Sequence, residues 1–284
     1  MQLSTLKDSP HHYKDVLTLI EKNFHYQRPE SFAVDFAPLM HHSNHTHNFI
    51  LIDEVSNTVI AHIGVSLRLW EEQPVALLGG IAVSEDFQGQ GIFKKLFEEV
   101  LKRYEKQVQA FILWSDLHEM YKKYDFLPLK SMIQTGEKNF SKPQGYQETT
   151  FSKLSLSEKN EMTKLYQIMS KSYQTLKRTP EDWERIYAIT STKLFIARNS
   201  QDQLTRYFCL GKGMDLHDII HEIGFSSEEE KLKLFKDLKD FKLWLPVSEK
   251  KNFPEAQELI LALSRGKLPF FSSQKIYISG LDSI

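Results

Sequence analysis

Apolar residues recur along the chain in two periods, and the switching between them sketches the fold. Ser9-Pro10 reads as an N-cap followed by a first helical residue. Tyr13, Val16, Leu17, Ile20 and Phe24 then repeat at helical spacing. Pro29 and Pro38 bracket a second, shorter helix around Ser31 to Leu39. Asn48 to Asp53 and Thr58 to Leu69 read as strands joined by a turn at Ser56-Asn57, and Pro74 to Ser84 as a third, mostly apolar strand. A helix from Gly91 to about Gln107 carries Ile92, Phe93, Leu96, Phe97, Val100, Leu101 and Tyr104 on one face. Its other face carries Glu98/Lys102 and Glu99/Arg103, i,i+4 pairs in the favourable order. Ala110 to Trp114 is a short buried strand, Leu117 to Tyr124 a short helix, and Phe126 to Ile133 a further strand.

Between Thr135 and Thr150 large apolar residues thin out and Gly136, Lys138, Asn139, Ser141, Lys142, Pro143 and Gly145 take over. This marks a boundary between two domains, 1–140 and 150–284. The same order of elements then returns. Ser155-x-x-Glu158 and Thr179-x-x-Asp182 are capping-box patterns, the second with Pro180 at the first helical position. The first of these helices is expected to bury Met162, Leu165, Tyr166, Met169, Tyr173 and Leu176. Strands are expected at Lys193 to Arg198, Thr205 to Gly211 and Asp218 to Phe225, a helix from about Ser227 to Phe241, a strand at Leu243 to Pro246, and a helix from Pro254 to Ser264. Each half thus reads helix, helix, three strands, helix, strand, helix, which makes the chain α/β (α+β) in class.

Composition narrows the function. Of 284 residues, 41% are hydrophobic and 26% charged, with Gly at 12 and Pro at 10; disorder and collagen-like fibres are excluded. Lys plus Arg total 36 against 37 Asp plus Glu, so the basic surplus of a duplex binder is missing and no nucleic-acid partner is expected. Cys209 is the one cysteine, so no internal disulfide can form, which fits a reducing cytoplasm. The start, MQLSTLKDSPHHYKD, has no basic region followed by an apolar core. The longest run without a charge or a strongly polar group is the ten residues from Pro74 to Val83, against the about 20 a membrane helix needs. A cytoplasmic protein with no membrane partner is the expectation.

Candidate chemistry concentrates in Ile81-Ala82-Val83-Ser-Glu-Asp-Phe-Gln88-Gly89-Gln90-Gly91-Ile92-Phe93. A buried strand runs into a glycine-containing loop that opens a helix. Such a loop aims main-chain N–H groups at one spot, with the positive end of the helix dipole behind them, and glycines remove side chains that block a phosphate. Neither GxxxxGK[ST] nor GxGxxG is satisfied, so the loop is neither a Walker A nor a Rossmann turn. His41, His42, His45 and His47 are conspicuous, but Asn44 and Thr46 are poor helix formers and the run precedes a strand, so it reads as a polar loop and no metal is expected. Cys209, mid-strand, reads as core rather than nucleophile.

Gln88-Gly89-Gln90-Gly91-Ile92-Phe93 resembles the [Q/R]-x-x-G-x-[G/A] signature of the GNAT acetyltransferases, with Phe93 where the family has Gly or Ala. A large side chain there either crowds a pyrophosphate or turns into the core. Glu119-Met-Tyr121-Lys-Lys-Tyr-Asp125-Phe126 resembles the family's x-[F/L]-Y-x-[K/R]-[L/F]-G-F segment, at the family's spacing from the first motif. The whole chain looks like the tandem proteins in which a catalytic GNAT domain precedes a degenerate one, similar to the first two domains of the enhanced-intracellular-survival acetyltransferases. The resemblance implies two GNAT-like domains, each a mixed, mostly antiparallel sheet flanked by helices. It implies acetyl-CoA as co-substrate, with pyrophosphate on Gln88 to Phe93 and the pantetheine arm along Ile81, Ala82 and Val83. It implies a primary-amine acceptor attacking the thioester directly, with Tyr121 protonating the thiolate. For the base, Asp116 is the first choice, ahead of His118, Glu119, Glu71 and Glu72; its other reading is a helix N-cap. A non-catalytic acyl-CoA-binding protein is the rival reading. In the second half, Ser226-Ser-Glu-Glu-Glu230 sets carboxylates where the first half offers glycines, so one acyl-CoA site per chain is expected.

Overall fold

The computed structural model describes all residues except 130, 131, 215 and 267–272. In chain order its strands are β1 (Gln2–Thr5), β2 (Asn48–Asp53), β3 (Thr58–Trp70), β4 (Gln73–Val83), β5 (Ala110–Trp114), β6 (Leu127–Leu129), β7 (Met132–Thr135), β8 (Gln147–Thr149), β9 (Leu176–Lys177), β10 (Lys193–Arg198), β11 (Leu204–Leu210), β12 (Ile220–Phe225), β13 (Leu243–Pro246), β14 (Gln257–Leu259) and β15 (Ala262–Gly266). Its helices are α1 (Tyr13–Asn23), α2 (Phe32–Asp35), α3 (Ala37–Met40), α4 (Ile92–Tyr104), α5 (His118–Lys122), α6 (Leu156–Ser172), α7 (Pro180–Tyr187) and α8 (Glu228–Leu238).

Two mixed sheets result. The first runs β1-β2-β3-β4-β5-β15-β6, with β9 added to β3; the second runs β14-β7-β13-β12-β11-β10-β8. β4 is buried on both faces, which is why Val75 to Leu78 read as an unbroken apolar run. On one face α4 packs Ile92, Leu96, Phe97 and Val100 against Ile63, Val65, Ala76 and Leu78. On the other, Val16, Leu19 and Ile20 of α1 share a core with Val75, Leu77 and Ala82. Each such side chain contributes about 1.5–3 kcal/mol on burial, so these contacts, not helix propensity, fix both helices. The capping boxes at Ser155/Glu158 and Thr179/Asp182 form with both of their reciprocal bonds.

Several expectations are corrected. The helix expected over Pro254 to Ser264 is two strands, β14 and β15. The run has good helix formers, but β5 presents a free edge whose N–H and C=O groups need partners. β15 supplies them from Ala262↔Trp114 to Gly266↔Ala110. The strand expected over Phe126 to Ile133 is two, β6 in the first sheet and β7 in the second; 130 and 131 fall outside the described residues. α6 stops at Ser172, so Tyr173 and Leu176 are buried beyond it, Leu176 in β9 against Trp70. Ser9 makes no cap bond; its hydroxyl meets Ser4 instead.

The sheets also cut across the expected units 1–140 and 150–284. β7, from the first, pairs with β13 and β14 in the second sheet, and β15, from the second, sits between β5 and β6 in the first. Each half lends the other a strand.

Candidate active site

The site begins as a defect in the first sheet. β4 and β5 run parallel and pair from Val75↔Ala110 to Leu78↔Leu113, and there the pairing ends. From Gly79 to Val83 the strand has β3 on one side and an open edge on the other. Gly80 sits in a bulge against β3 with φ +57, a conformation a side chain strains. The Ser84 N–H bonds Ile60 O on β3, so by strand alternation the Val83 N–H points to the open edge.

Beyond the strand, a short turn at Glu85–Phe87 leads to the glycine loop. Gly89 and Gly91 both have positive φ, and a Cβ built on either meets nothing within 4 Å. Main-chain N–H groups from Gly89 to Lys94 have no hydrogen-bond partner among the described residues. The turn is braced from behind: Gln88 Nε2 donates to Val83 O at 3.2 Å and Gln90 Nε2 to Asp86 O at 2.8 Å. The loop is therefore a preformed set of free donors at a helix N-terminus, open on the side from which an anion approaches.

Phe93 settles the choice its size posed. Its ring turns into the core, stacking on Phe97 at 4.9 Å and meeting Tyr121 and Tyr124 edge-on at 6.0 and 5.8 Å. It leaves the loop clear and ties it to Tyr121. Ile92 is buried under the same sheet. Tyr121, on α5, is 5% exposed, and its hydroxyl has no protein partner among the described residues. Burial raises its pKa well above the usual tyrosine value, so the hydroxyl keeps its proton at neutral pH.

Asp116 stands apart from this group. It is exposed, two residues past β5, with no side-chain partner among the described residues. It does not cap α5 either: the turn is made by Ser115 Oγ, which accepts from the Leu117 N–H. His45 and His47 meet Met40 O and the Tyr104 hydroxyl, and no metal-holding group of ligands occurs among the described residues.

Two features have no signal in the sequence. His62 lies fully buried beneath the bulge, Nδ1 bonded to Gly80 O at 2.7 Å and Nε2 at 2.9 Å from Asn48 Oδ1. Burial lowers its pKa to about 4, against the oxygen acceptors that face its two ring nitrogens. The second is the approach of Ile284: a Cβ on Gly79 would lie 2.4 Å from its carbonyl carbon. A segment distant in sequence thus closes one face of the splay.

The splay and the loop, with strands β2 to β5, lie within one matched segment of the chain. Residues 13–126 match the acetyltransferase (GNAT) family model. The fold of the whole chain is that of GNAT proteins. A putative acetyltransferase from Pyrococcus horikoshii is 15% identical, with 100% of this chain and 95% of that one covered at a TM-score of 0.62. Eis1 from Mycobacterium abscessus is 11% identical over 93% of this chain and 72% of its own, TM-score 0.59. Saccharomyces cerevisiae N-myristoyltransferase, solved with bound myristoyl-CoA and inhibitors, is 9% identical over 100% and 86%, TM-score 0.62. At these identities the likeness, including that to Eis1, is one of fold. No curated protein matches the chain by sequence.

The second sheet also has a parallel strand pair that parts, but no open glycine loop follows it. β12 and β13 pair in parallel at Ile220↔Leu243 alone and then diverge. α8 opens with Glu228, Glu229 and Glu230, and the Glu230 N–H is taken by Ser227 Oγ. Glu230 also pairs with Arg206 at 3.2 Å. Carboxylates and filled donors occupy the position where the first sheet leaves glycines.

Proposed function

We propose that the chain is an N-acyltransferase that moves an acetyl group from acetyl-CoA to a primary amine. The observation that carries this is the open Gly89–Gly91 turn, with unpartnered N–H groups through Lys94, standing beside the β4–β5 splay. The pyrophosphate takes those donors, from Gln88 to Phe93, and the pantetheine arm lies along Ile81, Ala82 and Val83 as an added strand would. The amine nitrogen attacks the thioester carbon, a C–N bond forms as the C–S bond breaks, and the Val83 N–H supports the carbonyl oxygen. Tyr121 gives its proton to the leaving sulfur. The proton lost by the amine passes to a base on the β5 side of the splay, for which Asp116, exposed two residues past the end of β5, is the candidate. The myristoyl-CoA bound to the yeast relative supports an acyl-CoA ligand for this fold. The single open loop supports one acyl-CoA per chain.

Calorimetric titration of acetyl-CoA, followed by a screen of amines for release of CoA thiol, tests the proposal. One site per chain and turnover on an amine are expected. Tyr121→Phe should keep acetyl-CoA affinity within about twofold while turnover falls about 100-fold. Absence of binding sinks the transferase; a Tyr121→Phe chain with unchanged turnover sinks the assignment of the acid.

A further inference from the structure

The 276–284 segment stands at both splays. Where β12 leaves β13, it takes the free edge: the Gly280 N–H bonds His221 O at 3.2 Å and the Tyr277 hydroxyl bonds the same oxygen at 3.1 Å. Its far end, Ile284, closes on Gly79 at the first splay. Yet among the described residues no strand ladder holds it, and a single bridge joins Ile276 to Gln174.

What holds it is a buried set of charges. Arg178 donates to Asp282 from Nε at 3.2 Å and from Nη2 at 2.7 Å, to Ser279 Oγ at 3.0 Å, and to both carboxylate oxygens of Glu222 on β12. Arg68, on β3 of the first sheet, donates to Asp282 Oδ1 at 3.0 Å, the oxygen that also accepts from Arg178 Nε. Side-chain exposures are 3% for Arg68, 0% for Arg178 and Glu222, and 2% for Asp282. Lys212 adds a second tether, its Nζ donating to Gly280 O at 2.6 Å and to Ser283 O at 2.7 Å. Taking four charges out of water costs more than a matched apolar cluster would, so stability alone does not account for the arrangement. Its geometric effect is specific: it fixes one register of a segment that has no ladder, between the two sheets.

We propose that Arg178 and Asp282 are positioning residues of the transfer reaction, clamping the 276–284 segment so that its end walls the acceptor side of the β4–β5 splay. The proposal rests on the transferase reading above. In this view the second sheet's splay, which in the first sheet is left open, has been filled by a clamp that serves the first.

Asp282→Asn keeps the shape and removes the charge, and Asp282→Glu restores it. Four readouts decide: acetyl-CoA affinity by calorimetry, release of CoA thiol to the best amine of the screen and to water, thermal unfolding, and hydrogen exchange in 276–284. In Asp282→Asn, exchange there should rise and kcat/KM for the amine fall, each by about tenfold or more, while acetyl-CoA affinity stays within about twofold. Asp282→Glu should recover part of both. A folded Asp282→Asn chain with wild-type exchange or wild-type amine kinetics overturns the proposal, as does a loss of acetyl-CoA affinity that matches the loss of turnover. If Asp282→Asn does not fold, Lys212→Met, which cuts the second tether, must show the same split. A wild type that binds no acetyl-CoA overturns the transferase reading instead, and the exchange readout still judges the clamp.

Discussion

Single residues set the chemistry through burial. His62 and His221 are both fully enclosed. His221 donates from Nε2 to Gly211 O at 3.0 Å, its Nδ1 has no partner among the described residues, and burial first, then Lys212 and Arg178, lower it to about 3. His62 is lowered to about 4. Folded values below the unfolded 6.5 mean that the unfolded chain binds more protons between pH 6.5 and pH 4. Stability therefore falls as pH drops through that window, by about 2 kcal/mol per histidine at pH 5 relative to pH 8. His41, His45 and His47, also lowered by burial, act in the same direction. Urea unfolding at pH 8 and pH 5 checks this: a curve that does not weaken at pH 5 contradicts it, and His221→Gln should lose less than the wild type. Asp282 behaves oppositely: burial raises it, but Arg178 and Arg68 outweigh burial and hold it below the usual carboxylate range. Its contribution is present above the unfolded value and disappears only in stronger acid.

At the scale of elements, the pattern of the first 126 residues was largely legible. β2 and β5 fall at the expected boundaries, and β3, β4 and α4 within a few residues of theirs. These have full hydrophobic periods and clear breakers. The glycine loop at Gln88 to Phe93 is legible because a strand end, two glycines and a helix start are local features, whereas Tyr121 is singled out only by the family resemblance. Whether Phe93 fills the loop or the core is not legible, because it depends on ring partners 28 and 31 residues away in sequence, Tyr121 and Tyr124. Its contacts with Phe97, Tyr121 and Tyr124 give the answer and a prediction. Phe93→Ala should lose about 2–3 kcal/mol of stability in denaturant while acetyl-CoA affinity stays within about twofold. A rise in affinity on calorimetry would show instead that the ring crowds the loop.

For the whole molecule, the exchanged strands predict that the halves do not fold separately. A chain cut to residues 1–140 keeps every residue of the loop and Tyr121 but loses β15, leaving β5 with a bare edge and β6 without its neighbour. It also strands β7, whose partners β13 and β14 are gone. Such a fragment should lack the cooperative thermal transition of the full chain, by circular dichroism. A fragment that unfolds cooperatively would mean the exchanged strands are accessories.

The sequence by itself determined what depends on neighbours a few residues away. It specified α1 and α4, α6 and α7 with their capping boxes, the strands with strong apolar runs, and the glycine loop that opens α4. Such features are written in period, in turn chemistry and in the free donors of a helix start. Only the tertiary structure decided what depends on partners over a hundred residues off. The run from Pro254 to Ser264 became strand because β5 had an edge to fill. Arg178, Asp282 and Arg68 became one buried cluster because three segments meet there, and charged residues read singly look like surface. His62 and Ile284 reached the splay by the same route. Local rules govern hydrogen bonds within an element, whereas the pairing of edges and the burial of charge are fixed by which distant surfaces the folded chain brings together.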